Sequence, residues 1–351
     1  MQSINVLIPS AGHPTRPSLV ECLRNNGERQ IRIIGMDMET TGIASLVTDK
    51  CYQVPPRTDP NYLNHVMYIC QKEAIHVYYA LGEEEAIAAS ERRAEFDAIG
   101  TSVITPATPD MLAIATNKCH WHDFLAKTNI SHAHYRNITS FDLIEQSVCS
   151  LGYPEEDVFV KPAVSKGGRG ARIITAKDLS GEYYHDRATE PKISLCSYID
   201  MLSPTQSSGQ FLPILAMEYL PGIYYSVDVL SSNGKPYYTI PKIRIQGTAS
   251  NTTVGEVSLD PAAIQLANDI CRSFSFSYLQ NYEMKVAKDG RIVAYDINPR
   301  GGASLALCAQ AGANIAYYAV KMALGEEVPQ TQVKNGVTMI RYYSEHYQDH
   351  T

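Results

Sequence analysis

The chain has 351 residues, too many for one ordinary core, so two or three domains are expected. A hydrophobic fraction of 44% with 19% charged residues is that of a soluble globular protein, and a formal net charge of −7 argues against nucleic acid as the main partner. No apolar run nears the ~20 residues that span a bilayer.

The opening "MQSINVLIPSAGH" has neither the basic start nor the long apolar stretch of a signal peptide. The eight cysteines show no CxxC and no paired spacing, so a reduced, cytoplasmic setting is expected. "INVLIPS" is a short apolar run of the buried parallel-strand kind, and "PSLVECLRNN" after it reads as a helix. "IRIIGMD", "AIHVYYAL" and "TSVITP" repeat the strand signal, with helical "PNYLNHVMYICQKE" and "EEEAIAASERRAEFDAI" between them. Such alternation predicts a Rossmann-like parallel sheet with helices on both faces over residues 1–115. It is not a dinucleotide site: the turn "PSAGHPTR" lacks G-x-G-x-x-G, and "MDMET" supplies an acid without the glycines that should precede it.

From about residue 116 the pattern changes to antiparallel hairpins with helices. The histidines of this region (120, 122, 132 and 134) do not form a metal motif. His120 and His122 stand two apart in a helical stretch, so they point to different faces, and no H-E-x-x-H carboxylate accompanies them.

"VFVKPAVSKGGRGARII" places a glycine-rich loop between two strands rather than before a helix, which rules out a Walker A loop. Gly167, Gly168 and Gly170 would let backbone N–H groups approach a phosphate, Lys166 and Arg169 would add charge, and Lys161 on the incoming strand projects the same way. An ordinary flexible hairpin tip is the alternative, and the loop alone does not decide between them.

"NYEMKVAKDGRIVAYDINPRGG" carries an Asp-Gly turn, a strong hairpin signal. With Asp289 and Gly290 as the turn, counting outward sets Glu283 opposite Asp296 and Asn281 opposite Asn298. Asn281, Glu283, Lys285, Asp296 and Asn298 then share one face, while Tyr282, Met284, Val286, Val293, Tyr295 and Ile297 take the core face. Two opposed carboxylates repel, so a divalent cation completed by phosphates would suit them. The competing account is that Lys285 and Arg291 merely neutralise an exposed face.

Read together, "ATNK", "VFVKPAVSKGGRG", "AMEYLPGIYYSVDVL" and "AYDINPRGGAS" resemble the ATP-grasp superfamily, and within it the carbamoyl-phosphate-synthetase-like carboxylate–amine ligases. The resemblance covers nearly the whole chain. It implies a pre-ATP-grasp domain over 1–115 followed by an α+β ATP-grasp module of two subdomains, 116–215 and 216–351. It also implies that Lys118 and Lys161 contact nucleotide phosphates, with Lys166, Gly167, Gly168 and Gly170 in the lid over them. Glu218 would meet the adenine amino group, and the Tyr219–Leu220 backbone would hold the ring edge. Glu283, Asp296 and Asn298 would bind one or two magnesium ions, for which manganese could substitute. Arg300 would stabilise the transferring phosphoryl group, and Arg244 looks like the substrate-side arginine, with Lys242 on its face.

Two positions depart from the family pattern. Tyr224 stands where relatives often carry a ribose-binding acid, and Asp296 where Glu is more usual. The expected reaction is phosphorylation of a small acid, such as an amino acid, by ATP, followed by attack of an amine on the acyl phosphate. Two alternatives stand beside it: a carbamoyl- or carboxy-phosphate-type synthetase, and a nucleotide-binding regulatory protein without turnover. The expected partners are a small-molecule carboxylate and amine, neither nucleic acid nor membrane; a homodimer is compatible with all of this.

Overall fold

The computed structural model describes residues 3–165, 167–179, 191–248 and 251–347. Strands β1 (Ile4–Pro9), β2 (Ile31–Asp37), β3 (Lys50–Gln53), β4 (Val77–Tyr79) and β5 (Ser102–Ile104) form a wholly parallel sheet in the order β3-β2-β1-β4-β5. Alternate residues of β1 go to opposite faces, as a two-residue period requires. Val6 and Ile8 pack with Leu19, Val20 and Leu23 of helix Arg16–Arg24, whereas Leu7 packs with Leu63, Val66 and Ile69 of helix Tyr62–Lys72. The expected two-faced parallel sheet is therefore present.

Three local features differ from the sequence reading. The short helix Ile43–Val47 and strand β3 were not expected; "KCYQ" is a half-exposed edge strand and carries no apolar run to announce itself. The stretch from 83 to 99 is two helices, Glu83–Glu91 and Arg93–Ala98, because Arg92 leaves helical geometry (φ −105°, ψ 19°). The second helix brings Phe96 under the sheet, its ring 5.5 Å from that of Tyr78.

Strands β6 (Tyr135–Ile138), β7 (Val158–Pro162), β8 (Arg172–Ile174), β9 (Lys192–Ile193) and β10 (Ile214–Glu218) make a second sheet, ordered β6-β10-β7-β8-β9. Its pairs are antiparallel except β8 with β9. Val158 and Val160 pack under helices Ile144–Cys149 and Leu195–Ser207. The residues between and beyond them, Phe159 and Lys161, consequently face the other way, into a cleft.

The third sheet comprises β11 (Tyr224–Ser232), β12 (Lys235–Thr248), β13 (Asn251–Val257), β14 (Tyr278–Val286), β15 (Ile292–Asn298) and β16 (Thr338–Ile340), antiparallel in the order β15-β14-β11-β12-β13-β16. Helix Pro261–Phe274 covers one face, where Ala263, Ala267 and Ile270 meet Val227, Val229 and Met284. The opposite face looks into the cleft beneath the second sheet. Helices Leu305–Gln310 and Ile315–Ala323 share one continuous core with the first sheet, so the N-terminal layer is packed against the third sheet's helices rather than tethered beside them.

The β14–β15 hairpin keeps the expected Glu283–Asp296 and Asn281–Asn298 pairs, but by a different route. Nearest the turn the register is offset by one, with Lys285 opposite Val293 and Val286 opposite Ile292. Here Ala287 N–H donates to Arg291 O at 2.8 Å, so the connection is longer than a two-residue turn. A bulge at Tyr295 then restores the pairing. The longer turn also overturns the expected placement of Val293 and Tyr295: Tyr295 lines the cleft, and Val293 packs with Leu215 and Met217 rather than with Met284.

Candidate active site

The site lies between the second and third sheets and reaches the edge of the first. Period two on β11 sends Tyr225, Val227 and Val229 to the core and Tyr224, Ser226 and Asp228 to the cleft face. Ser226 stands opposite Glu283 on β14 and opposite Lys242 on β12, so one surface carries acids, amides and cations across four strands.

Lys161, on β7 as the sequence suggested, is buried at 4% exposure. Its Nζ donates to Tyr295 O at 2.9 Å and to Asp296 Oδ2 at 3.2 Å, and it lies 5.0 Å from the centre of the Tyr295 ring. Burial, helped by the charge of Lys118, holds Lys161 below the ordinary lysine range against the opposing pull of Asp296. Lys118 opens helix Lys118–Lys127, whose N-terminus Asn117 caps by accepting from the N–H groups of Cys119 and His120. Lys118 Nζ donates to Ser165 O at 2.7 Å, which ties it to the entrance of the glycine-rich loop.

That loop turns through left-handed backbone at Gly167, Gly168 and Gly170 (φ 59°, 73° and 77°). A Cβ at Gly170 would also lie 2.8 Å from Pro162 Cγ, so this position is glycine on two counts. Gly167 and Gly168 line the cleft. Lys166 lies outside the described residues.

Glu283 and Asp296 face each other with different surroundings. Burial first, and the charge of Asp296 second, push Glu283 above the ordinary glutamate value; Tyr295 Oη donates to its Oε2 at 2.9 Å. Burial also opposes ionisation of Asp296, but Lys161 and then Lys118 outweigh it and hold this carboxyl below its ordinary value. Arg291 does not supply the compensation, since its partners are other acids. Lys285 Nζ sits 5.9 Å from the Tyr219 ring centre, and Arg291 pairs with Asp289 and Glu218.

Asn298 is placed by Asn281, to which its Nδ2 donates at 3.3 Å, and it accepts from Arg300 Nη2 at 3.1 Å. Behind them is a buried network that sequence reasoning missed. Asp228, fully buried, accepts from Asn281 Nδ2 at 3.0 Å, from Gly302 N–H at 2.7 Å and from Lys242 Nζ, which also donates to Ser304 Oγ at 3.0 Å. It pins the loop that carries Arg300. The signal was available in the alternation Tyr224-x-Ser226-x-Asp228.

Arg244 and Tyr224 stack, with the guanidinium carbon 3.8 Å from the ring centre, and Arg244 Nε donates to Thr252 Oγ1 at 3.1 Å. Glu218, Tyr219 and Leu220 are placed differently from the other expected residues: none of them lines the cleft described here. Glu218 Oε1 accepts from His134 N–H at 2.8 Å and from Arg291 Nη2 at 3.2 Å, and Leu220 is buried. The His122 ring is buried against Tyr295 O, and burial lowers its pKa to about 3, so it is a neutral packing residue rather than a ligand.

Among the described residues no three His, Cys, Asp or Glu side chains gather into a closed metal cage. Two carboxylates and an amide are instead an open, hard-oxygen donor set. Magnesium takes such a set when phosphates complete its shell, so the residues fit that ion.

The cleft gathers two lysines, a glycine-rich loop and opposed carboxylates on a hairpin, between the mostly antiparallel second sheet and the antiparallel third, as the resemblance read from the motifs leads one to expect. Comparison with known proteins agrees. Residues 210–345 match the family described as "ATP-grasp in the biosynthetic pathway with Ter operon", and residues 6–104 match the PylC-like N-terminal domain. The chain carries an ATP-grasp domain behind a PylC-like one, and the resemblance read from its motifs is borne out. It is similar to the arginine-specific carbamoyl phosphate synthase large chain of Halalkalibacterium halodurans, 19% identical over 87% of this chain and 27% of that protein. The chain thus spans about a quarter of that relative's length. Its fold is similar to the biotin carboxylase domain of Hydrogenobacter thermophilus 2-oxoglutarate carboxylase, solved with MgADP, ADP and bicarbonate (TM-score 0.68, 14% identity, 95% of this chain and 73% of that one). It is also similar to an L-amino acid ligase from Bacillus licheniformis (TM-score 0.62, 13% identity, 92% and 74%). No helix among the described residues is long and apolar enough to cross a membrane.

Proposed function

We propose that the protein is an ATP-dependent carboxylate–amine ligase that activates a small acid, such as an amino acid, as its acyl phosphate and passes the acyl group to an amine. One observation carries this reading: Lys118, Lys161, Glu283, Asp296, Asn298 and Arg300 line a single cleft, and the fold itself has no use for so many charges there. The ATP-grasp match and the nucleotide-bound neighbour support it.

In this reading Lys118 and Lys161 hold the nucleotide phosphates, under Gly167 and Gly168. Glu283, Asp296 and Asn298 would hold magnesium, which supplies charge neutralisation at the transferring phosphoryl group. Arg300, fixed through Asn298 and the Asp228 network, faces the charge that develops on that group, and Arg244 holds the acid being activated. The acid's carboxylate oxygen takes the γ-phosphoryl, with ADP as leaving group. The amine nitrogen then attacks the acyl carbon and phosphate leaves. The lid excludes water, which would hydrolyse the acyl phosphate. The Tyr219 and Leu220 backbone remains the proposed adenine edge.

ADP release against a panel of acids and amines, with hydroxylamine added to trap acyl phosphate as the hydroxamate, tests the proposal. Acid-dependent hydroxamate is the expected result. ADP release on bicarbonate alone would favour the carboxy-phosphate alternative, which the bicarbonate-bound neighbour keeps in view. ATP binding with no turnover on any acid would leave the regulatory reading.

A further inference from the structure

Lys118, Lys161, Arg244 and Arg300 line the cleft, and three of these cations are already engaged at their terminal nitrogens. Lys118 Nζ donates to Ser165 O and Lys161 Nζ to Tyr295 O and Asp296. Arg300 donates from Nη1 to Gly301 O at 3.0 Å and from Nη2 to Asn298 Oδ1. Arg244 differs. Its one hydrogen bond among the described residues runs from Nε to Thr252 Oγ1, and it pairs with no acid there, so both Nη atoms stay open to the cleft.

What holds this guanidinium is a ring against its face. Strands β11 and β12 pair antiparallel with Tyr225 opposite Ile243, so one step further Tyr224 and Arg244 stand across from each other, and both line the cleft. The guanidinium carbon lies 3.8 Å from the centre of the Tyr224 ring, a stacking contact. Such a contact orients a cation without neutralising it, whereas a carboxylate at position 224 would take the guanidinium as a forked ion pair. Glu283 lines the same cleft, and an arginine without the ring would be free to swing toward it. Burial, and after it the charge of Glu283, pushes the Tyr224 hydroxyl above its ordinary value, so the ring stays neutral beside the cation. Of the five N–H donors of Arg244, Nε is committed and one face of the plane is covered. The outer edge, Nη1 and Nη2, has the geometry that a carboxylate accepts with both oxygens.

We infer that Tyr224 is the positioning residue of the acid-binding end of the site: its ring fixes the Arg244 guanidinium away from Glu283, so that the two Nη atoms receive the carboxylate to be activated. The inference deepens the ligase reading and rests on it. The ring rather than the hydroxyl does the positioning, so phenylalanine can replace Tyr224 and an aliphatic side chain cannot. The effect is confined to the acid, because the lysines and the glycine-rich loop that the ligase reading assigns to the nucleotide lie on other elements.

The test is a set of thermal melts of the full chain saturated with MgADP, titrated with acetate and L-alanine and with their amides, acetamide and L-alaninamide; the shifts give apparent affinities. In the unaltered protein at least one carboxylate should bind about 10-fold or more tightly than its amide, as a charge-assisted pair gives. Tyr224→Leu should weaken that carboxylate by about 3–30-fold, the range of a cation–π contact, while MgADP affinity holds. Tyr224→Met removes the ring in a second way should the leucine variant not fold. Tyr224→Phe should keep the preference, and Tyr224→Glu should abolish it. The inference is overturned if no carboxylate binds more tightly than its amide, or if the leucine and methionine variants keep full carboxylate affinity. It is equally overturned if they weaken MgADP as much as the carboxylate, or if Tyr224→Phe behaves as they do. Hydroxamate trapping in the unaltered protein reports separately on the ligase reading, so the two can fail independently.

Discussion

Replacing Glu283 and Asp296 one at a time by their amides should move stability in opposite directions. Like charges ~5 Å apart repel by about 3 kcal/mol at an effective dielectric near 20. Lys161, bonded to Asp296 at 3.2 Å, offsets most of that. Glu283→Gln removes the residual repulsion and leaves Asp296 with its lysine, so the nucleotide-free protein should gain about 1 kcal/mol. Asp296→Asn instead leaves Lys161, 4% exposed, without its counter-ion. That should cost about 1–3 kcal/mol, less than a fully buried pair because Asp296 is 26% exposed and Tyr295 O still accepts from the lysine. The pH dependence follows from the direction of the Glu283 shift. Its pKa is raised on folding, so the native state holds this proton more tightly than the unfolded chain does. The unaltered protein therefore gains stability as pH falls from 7 through the raised folded pKa toward 4.5, and the advantage of Glu283→Gln shrinks over that window. Chemical denaturation of the three proteins at pH 7 and pH 5 measures this. Both variants should also lose magnesium-dependent nucleotide binding and turn over 100-fold or more slowly, by roughly the cost of one lost electrostatic contact to the transition state. If both amides shift stability by no more than ~0.5 kcal/mol and leave activity unchanged, the pair is a solvated surface feature and the metal site is refuted.

Lys161→Ala should lower turnover by about 10²–10³-fold, as loss of a preorganised cation at a reacting phosphate does; wild-type rates in a steady-state ADP assay would show that it is misassigned. Magnesium-dependent ADP binding should weaken as pH falls through the raised Glu283 pKa, above 4.5, because the metal needs the ionised carboxylate. Titrations at three pH values check this, and Glu283→Gln should flatten the dependence. Gly170→Ala should cost about 1–2 kcal/mol of stability through its left-handed backbone and raise KM for ATP by blocking lid closure onto Pro162; an unchanged melt and KM would mean the loop tolerates a side chain and does not close there.

The parallel sheet was legible because its central strands are continuous apolar runs, and β3 was not, because an edge strand of Lys50, Cys51, Tyr52 and Gln53 buries too little to leave that mark. Glu283, Asp296 and Asn298 could be placed together because a hairpin's register is written locally, in its turn and its alternation. Asp228 and Lys242 were harder to read as a unit. They stand 14 residues apart on neighbouring strands, and only the third sheet's pairing reveals that a buried acid organises both Asn281 and the Gly302 loop.

The hairpin shows why a correct pairing can follow from an incorrect turn. Reading Asp289–Gly290 as a two-residue turn misses one residue there, and the bulge at Tyr295 adds one on the other strand, so the two offsets cancel before Glu283 meets Asp296. The cancellation has a physical consequence. The longer turn already sets Tyr295 on the cleft side with Val293 by alternation, and the bulge adds Asp296 to that side. There the Tyr295 hydroxyl reaches Glu283 Oε2, the carbonyl accepts from both Lys161 and His122, and the ring lies under the Lys161 ammonium. Tyr295 thus joins Lys161 to Glu283 across the hairpin. A strand paired regularly from this turn would set Tyr295 rather than Asp296 opposite Glu283, so the bulge is what brings the two acids together.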